Sequence, residues 1–257
     1  MSSLENRIVL ITGASSGIGE ACALKFAAMG HDLFLCARRL DRLESLKAKI
    51  EAEHGSLTVK VAQVDVASAE SCADFFTQYA DELAQVTALI NNAGLARGLT
   101  TFQDSNFVEW DEMIDTNIKG VLRFTHGILP YFLEKKSGHI INLGSVAGLY
   151  TYPKGHVYNA SKFAVHAFTE SLRLDLVGKG IRVSEVLPGM VDTEFSEVRL
   201  RDEAKAEAVY EGMTPLYAND IAESVAFIAS QPPHVNIQGL VIYPTAQASP
   251  RDVHREE

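Results

Sequence analysis

Short apolar runs alternate with amphipathic stretches along most of this chain. The run at 8–11 is β-branched, which favours a strand, and it leads into a glycine-rich stretch at 12–19. Residues 20–29 read as a helix closed by Gly30, and 32–36 as a second strand. The same periodicities predict a helix over 39–53, a strand over 57–64, a helix over 69–83 and a strand over 87–91. A long helix follows at 106–135, where Pro130 either bends it or stands near its end. After Ser137-Gly138 come a strand at 139–143, a helix at 157–177 stopped by Gly178, and strands at 181–187 and 240–243.

Strands that are apolar throughout, each followed by a helix, imply a mostly parallel sheet covered on both faces. Right-handed crossovers make that a doubly wound, Rossmann-type α/β sheet of about seven strands. No repeat or composition break divides the chain, so residues 1–257 read as one domain. The segment 192–213 departs from the alternation: it is charged, mostly helical and inserted after a strand end. It is either a lid over a site or a solvated surface helix. The polar tail at 250–257 is open between disorder and packing on a neighbour.

Composition narrows the classes. With 257 residues, 47% of them hydrophobic, the chain can bury a substantial core. Lys plus Arg is 23 and Asp plus Glu is 33, a formal charge of −10, which argues against a nucleic-acid or anionic-membrane binder. A local basic pocket for a phosphate remains compatible. Cys22, Cys36 and Cys72 have no metal-type spacing and read as small buried hydrophobes. Residues 1–7 are polar, with neither a signal-peptide pattern nor a membrane-spanning run, so a soluble cytoplasmic protein is expected.

The candidate chemistry centres on Tyr158. Lys162 follows it by four residues, on the same helical face, and Ser145 lies just upstream. An ammonium beside a phenol favours the phenolate, so the Tyr158 pKa is expected to fall from its ordinary value of roughly 10. That would make Tyr158 a proton donor and acceptor at a carbonyl or alcohol. Gly13, Gly17 and Gly19 sit between the first strand and first helix, where backbone N–H groups can approach a pyrophosphate. Their spacing is TGxxxGxG, not GxGxxG. The second strand ends in Ala37-Arg38-Arg39, with no acid to take a ribose 2′-hydroxyl. Two guanidiniums suit a 2′-phosphate, which favours NADP over NAD; the other reading is two exposed arginines opening a helix.

These motifs resemble the short-chain dehydrogenase/reductase family over essentially the whole chain. The resemblance rests on TGASSGIG at 12–19, Asp65-Val66, NNAG at 91–94, TNIKG around Asn117, Ser145, YNASK at 158–162 and PGMVDT at 188–193. A narrower likeness, in GMVDTEFSEVRL at 189–200 and PPHVNIQGL at 232–240, is to bacterial NADP-dependent 3-hydroxy acid (serine/allo-threonine) dehydrogenases. The resemblance implies a catalytic tetrad of Asn117, Ser145, Tyr158 and Lys162. Tyr158 would exchange the proton, Ser145 hold the substrate oxygen, Lys162 bind the nicotinamide ribose, and Asn117 anchor a water leading to solvent. It also implies cofactor contacts from Gly13, Ser15, Ser16, Gly17, Ile18 and Gly19, and from Arg38 and Arg39. Asp65 would accept from adenine beside Val66. Asn92, Ala93 and Gly94 would line the ribose path, and Pro188, Gly189, Val191 and Thr193 the carboxamide. Asp65 could equally cap a helix, 92–94 and 188–189 could be plain turns, and Asn117 could simply distort its helix.

A hydroxy acid needs a cation. Arg97, Lys154 and Arg199 are candidates, and Arg199 is preferred because it lies inside the subfamily-like stretch. Pairing with Glu197 or Glu203 is the competing role for it. Tyr152 and His156 are further candidates for the pocket. The expected activity is NADP-linked hydride transfer to or from a small 3-hydroxy acid or β-hydroxy amino acid. The alternatives are a general carbonyl reductase acting on ketones or 3-oxoacyl groups, and a cofactor-sensing scaffold without turnover. A homo-oligomer, tetramer or dimer, is expected through a second apolar face carrying Phe124, Phe163 and Phe168.

Overall fold

The computed structural model describes residues 8–256; the polar stretch 1–7 lies outside them. The first half alternates strictly: β1 (Ile8–Thr12), α1 (Gly17–Ala28), β2 (Asp32–Ala37), α2 (Leu40–Glu53) and β3 (Val59–Gln63). Then come α3 (Ala69–Gln78), α4 (Ala80–Leu83), β4 (Val86–Asn91), α5 (Phe107–Ile114), α6 (Val121–Lys135) and β5 (Gly138–Leu143). The remainder is α7 (His156–Leu176), β6 (Ile181–Pro188), β7 (Val191–Asp192), α8 (Phe195–Leu200), α9 (Glu203–Ala208), β8 (Leu216–Tyr217), α10 (Ala218–Ala229) and β9 (Gly239–Ile242).

Seven strands form one parallel sheet in the order β3-β2-β1-β4-β5-β6-β9. The chain runs outward from β1 in one direction, then restarts at β4 in the other. That reversal opens a crevice at the carboxyl ends of β1 and β4, where such sheets take ligands. Period-two alternation builds the two layers. Val9 and Ile11 of β1, with Leu33 and Leu35 of β2, pack beneath α1, α2 and α10. Leu10, Phe34 and Cys36 point the other way, towards α3, α6 and α7. Each fully buried leucine or phenylalanine contributes about 1.5–3 kcal/mol, so the strands are fixed from both faces.

Several expectations change in the structure. The 69–83 helix breaks at Tyr79 into α3 and α4. The long helix keeps Pro130 in its interior and runs on to Lys135, ending at Lys136 with a left-handed φ of 50°. Between α5 and α6, Asp115–Gly120 widens into a π-turn. The pattern reading assigned no element where α10 lies; Ile221, Ala222, Val225 and Ile228 of that helix are buried against the α1 layer. Phe124 is a core residue at 0% exposure, so it cannot belong to an outer face, and Phe168 is partly buried against the same cluster. Only Phe163 of the three is exposed. The three cysteines are buried and unpaired, as their apolar settings suggest.

Candidate active site

The glycine-rich turn is built by close backbone approach. Gly13 and Gly17 have φ of +67° and +56°, a region that side chains with a Cβ avoid. A Cβ on Gly19 would lie 2.4 Å from the Gly13 carbonyl oxygen, and one on Gly13 2.9 Å from the Ala93 Cα. Asn92 ties the two strand ends together: its Nδ2 donates to the carbonyls of Thr12 and Gly13 at 3.0 and 3.1 Å. The Thr12 hydroxyl in turn accepts from the backbone N–H groups of Asn92 and Ala93. The 92–94 turn is therefore part of the cradle.

One cleft is lined by Gly13, Ser15, Ser16, Gly17, Ile18, Arg38, Arg39, Asp65, Val66, Asn92, Ala93 and Gly94. Ser145, Tyr158, Lys162, Pro188, Gly189, Val191 and Thr193 line the same cleft. The structure thus brings together residues from seven separate stretches of sequence. Gly19 and Asn117 stand behind the lining. Asn117, in the π-turn, donates to the Leu95 carbonyl at 2.8 Å and to Ser161 Oγ at 3.0 Å, and accepts from the Leu95 N–H. Its amide fixes the strand end that carries Gly94, so helix distortion and site-building coincide here. Asp65 accepts from the Ala67 N–H, while Ser68 caps α3 through the Ser71 N–H; the capping role falls to the serine.

The two arginines differ. Arg38 has an exposed side chain that makes no hydrogen bond or ion pair among the described residues; only its carbonyl is used, accepting from Gln63. Arg39 lies over the turn, donating to Ser15 Oγ and Ser16 Oγ at 3.2 and 2.7 Å, and pairs with Glu194 at 3.0 Å. Arg42 pairs with the other Glu194 oxygen at 2.6 Å. Glu194 was not singled out in the sequence, although it lies inside the distinctive 189–200 stretch.

Tyr158 is buried and does not have the lowered pKa expected from Lys162. Burial pushes the phenol well above its ordinary value; the Tyr152 phenol adds to this, while Ser145 and the Arg199 guanidinium pull the other way. Lys162 is not directed at the phenol. Its Nζ donates to the Leu143 carbonyl at 2.8 Å and stands 5.9 Å from the Tyr158 ring centre. Burial lowers its pKa to about 8, with Glu185 opposing. For Tyr158, burial is the largest influence, and it favours the neutral phenol. Ser145 caps the turn that follows it, accepting from the Ala147 N–H, and donates to the Pro188 carbonyl.

Arg199, on α8, and Tyr152 stand beside Tyr158 but are not among the residues that line the cleft. The Arg199 guanidinium lies 5.5 Å from the ring centres of both Tyr152 and Tyr158. Nη1 donates to the Tyr152 hydroxyl at 2.9 Å and Nε to the Gly98 carbonyl at 3.0 Å. Gly98 N–H returns a bond to the Arg199 carbonyl. No carboxylate pairs with Arg199 among the described residues, so Glu197 and Glu203 do not take it. Arg97 is used elsewhere, on Glu112 and the Val198 carbonyl, and Lys154 is an exposed turn residue with φ of 64°. His156 packs edge-on to Phe102, away from the cleft lining. The tail also joins the site: Gln247 Oε1 accepts from the Met190 N–H at 2.8 Å and sits 2.4 Å from where a Gly189 Cβ would be. Nothing in its local sequence marks Gln247.

A glycine cradle at a topological switch point, with a buried tyrosine and lysine and a half-buried serine at its far end, defines a dinucleotide-linked oxidoreductase site. Residues 7–204 match the short-chain dehydrogenase family, and the chain belongs to it. It is 44% identical over 243 residues to sulfoacetaldehyde reductase 2 of Chromohalobacter salexigens, covering 94% of this chain and 95% of that protein. It is 38% identical over 252 residues to the NADP-dependent 3-hydroxy acid dehydrogenase YdfG of Escherichia coli strain K12, covering 97% and 100%. Among solved structures, the closed form of serine dehydrogenase complexed with NADP+ superposes with a TM-score of 0.90 at 38% identity, over 97% of this chain and 100% of that one. The family and fold expected from the motifs are borne out.

Proposed function

We propose that this chain is an NADP-dependent oxidoreductase that moves a hydride reversibly between the nicotinamide and a small 3-hydroxy acid or β-hydroxy amino acid. The observation that carries this reading is the Arg199 guanidinium, held by two neutral groups 5.5 Å over the Tyr158 ring. A planar acid group bound there would present a hydroxyl or carbonyl to Tyr158. The names of the relatives and of the NADP-bound neighbour agree with it.

When bound, NADP supplies the hydride acceptor in oxidation, and NADPH the donor in reduction. The glycine cradle with Ser15, Ser16 and Ile18 holds the pyrophosphate. Arg38 takes the 2′-phosphate with Arg39 beside it. Asp65 and Val66 face adenine, Asn92, Ala93 and Gly94 follow the ribose, and Pro188, Gly189, Val191 and Thr193 hold the carboxamide. Tyr158 gives its proton to the substrate oxygen in reduction and takes it back in oxidation. Ser145 donates to that oxygen as charge gathers on it. Lys162 holds ribose hydroxyls and a positive charge near the phenol, and Asn117 keeps Leu95 and Gly94 in place. The segment 192–213 is the lid that brings Phe195 and Val198 to the cleft and Arg199 beside the Tyr158 ring.

A second reading has its own support: the 44% relative is named for sulfoacetaldehyde, and a sulfonate fits the same guanidinium. The enzyme would then reduce a small anionic aldehyde. The protein works in the cytoplasm, where buried free thiols persist, as a homotetramer; exposed Leu122, Leu133, Phe163 and Leu174 on α6 and α7 support the pairing of subunits. A nicotinamide absorbance screen tests the function. NADP reduction by L-serine, L-allo-threonine, 3-hydroxyisobutyrate or 3-hydroxypropionate supports the first reading. NADPH oxidation by sulfoacetaldehyde alone supports the second. Activity confined to neutral ketones overturns both.

A further inference from the structure

Behind Lys162 lies a carboxylate–imidazole pair that the chemistry above does not use. Glu185, on β6, is 2% exposed. Its Oε2 bonds His166 Nδ1 at 2.6 Å, and its Oε1 is buried with no hydrogen-bond partner. A lone buried carboxylate oxygen is costly and calls for a compensating charge. His166 follows Lys162 by four residues on α7, so the two share a helical face. Glu185 stands opposite Asn142 in the β5–β6 register, beneath that helix. Its unpartnered oxygen lies 2.2 Å from where a Gly144 Cβ would be. Gly144 separates Leu143, whose carbonyl accepts from Lys162 Nζ, from Ser145. The glycine therefore makes room for the carboxylate directly behind the site.

We propose that Glu185, held by His166, is the positioning residue that keeps Lys162 an ammonium inside a buried site. The inference rests on the function proposed above for its catalytic consequence, though not for the charge itself. The titratable or charged groups around Glu185 are His166, Lys162 and Arg173, all from α7; Asn142 of β5, Gly144 just beyond it and Gly239 of β9 carry none. Burial drives Lys162 towards its neutral form, and the Glu185 carboxylate opposes that drift. With Glu185 charged, Lys162 holds its proton to higher pH and keeps a cation near Tyr158. With Glu185 neutral, the lysine gives up its proton at lower pH and the tyrosine is left without a cation.

The test titrates Lys162 by NMR in protein carrying 13Cε-lysine, with its resonance assigned through K162R. In E185Q the midpoint falls by about one pH unit, and E185D restores it. H166K sets a permanent cation against the same carboxylate, and the midpoint falls there too, so a misfolded E185Q leaves a second variant to read. In the oxidation direction at pH near 8, kcat of E185Q drops about fivefold with KM unchanged, which is the loss of ammonium that such a shift gives at that pH. An unmoved midpoint in whichever variant folds overturns the proposal, with or without a known substrate. A wild-type enzyme inactive on every substrate above overturns the proposed function instead, and leaves the NMR result to judge Glu185.

Discussion

On one bank of the cleft, Gly13, Gly17 and Gly19 bring backbone against backbone, and Asn92 bonds two carbonyls of the turn directly. On the other bank, Arg97, Arg199 and Glu194 make their contacts through long side chains. The first bank has no room to vary, because a single methyl group on Gly19 meets a carbonyl at 2.4 Å. The second is held by bonds that can be exchanged one at a time. The cradle is thus fixed by backbone, whereas the Arg199 side is built from side chains that can be replaced at small cost to the fold.

The comparison can be broken at the turn first. Gly19→Ala forces a clash with backbone that cannot give, costing about 3 kcal/mol, and NADPH binding is lost in fluorescence titration; retained affinity would mean that the cradle is softer than its distances imply. Arg199→Ala acts on the other bank. It removes a charge-assisted contact of about 1.5–3 kcal/mol, so KM for an acidic substrate rises about 10–100-fold while a neutral ketone is unaffected. An equal loss for both substrates would make Arg199 a structural prop. Arg38→Ala weakens NADP(H) about tenfold, near 1.4 kcal/mol, and leaves NAD(H) almost unchanged, as isothermal titration of both cofactors would show. The smallest effect is at the rim. Glu194→Gln removes exposed ion pairs worth little, and Tm moves by about 2 °C or less; a larger fall would mean that the rim carries stability and not only selectivity.

The first bank was also the more legible in the sequence. Glycines, strand ends and the Tyr158–Lys162 spacing leave local signatures, because each reflects a backbone constraint or a helical turn. The alternation of strand and helix gave the sheet for the same reason. Contacts made over long separations left no such mark. Gln247 supports Gly189 from the tail, and Glu194 meets Arg39 from 155 residues away. Both depend on how loops fold back, which no local pattern records. The tail at 250–256 is not a free end: Arg255 donates to the Val209 carbonyl at 2.9 Å, and Glu256 N–H to that of Gly212 at 2.7 Å. Phe124 was misplaced because periodicity finds an apolar face without saying what covers it. For Tyr158 the spacing shows a lysine one turn away but not the burial that pushes the phenol up.

The central claim is that the Tyr158 hydroxyl is the proton-exchanging group at the substrate oxygen. Tyr158→Phe removes one oxygen atom from a buried ring and leaves the cofactor bank untouched. Steady-state turnover with NADPH should fall by about 10²–10⁴-fold, while the NADPH dissociation constant, measured on the same protein, stays within about threefold. Turnover equal to wild type with intact cofactor binding would contradict the account.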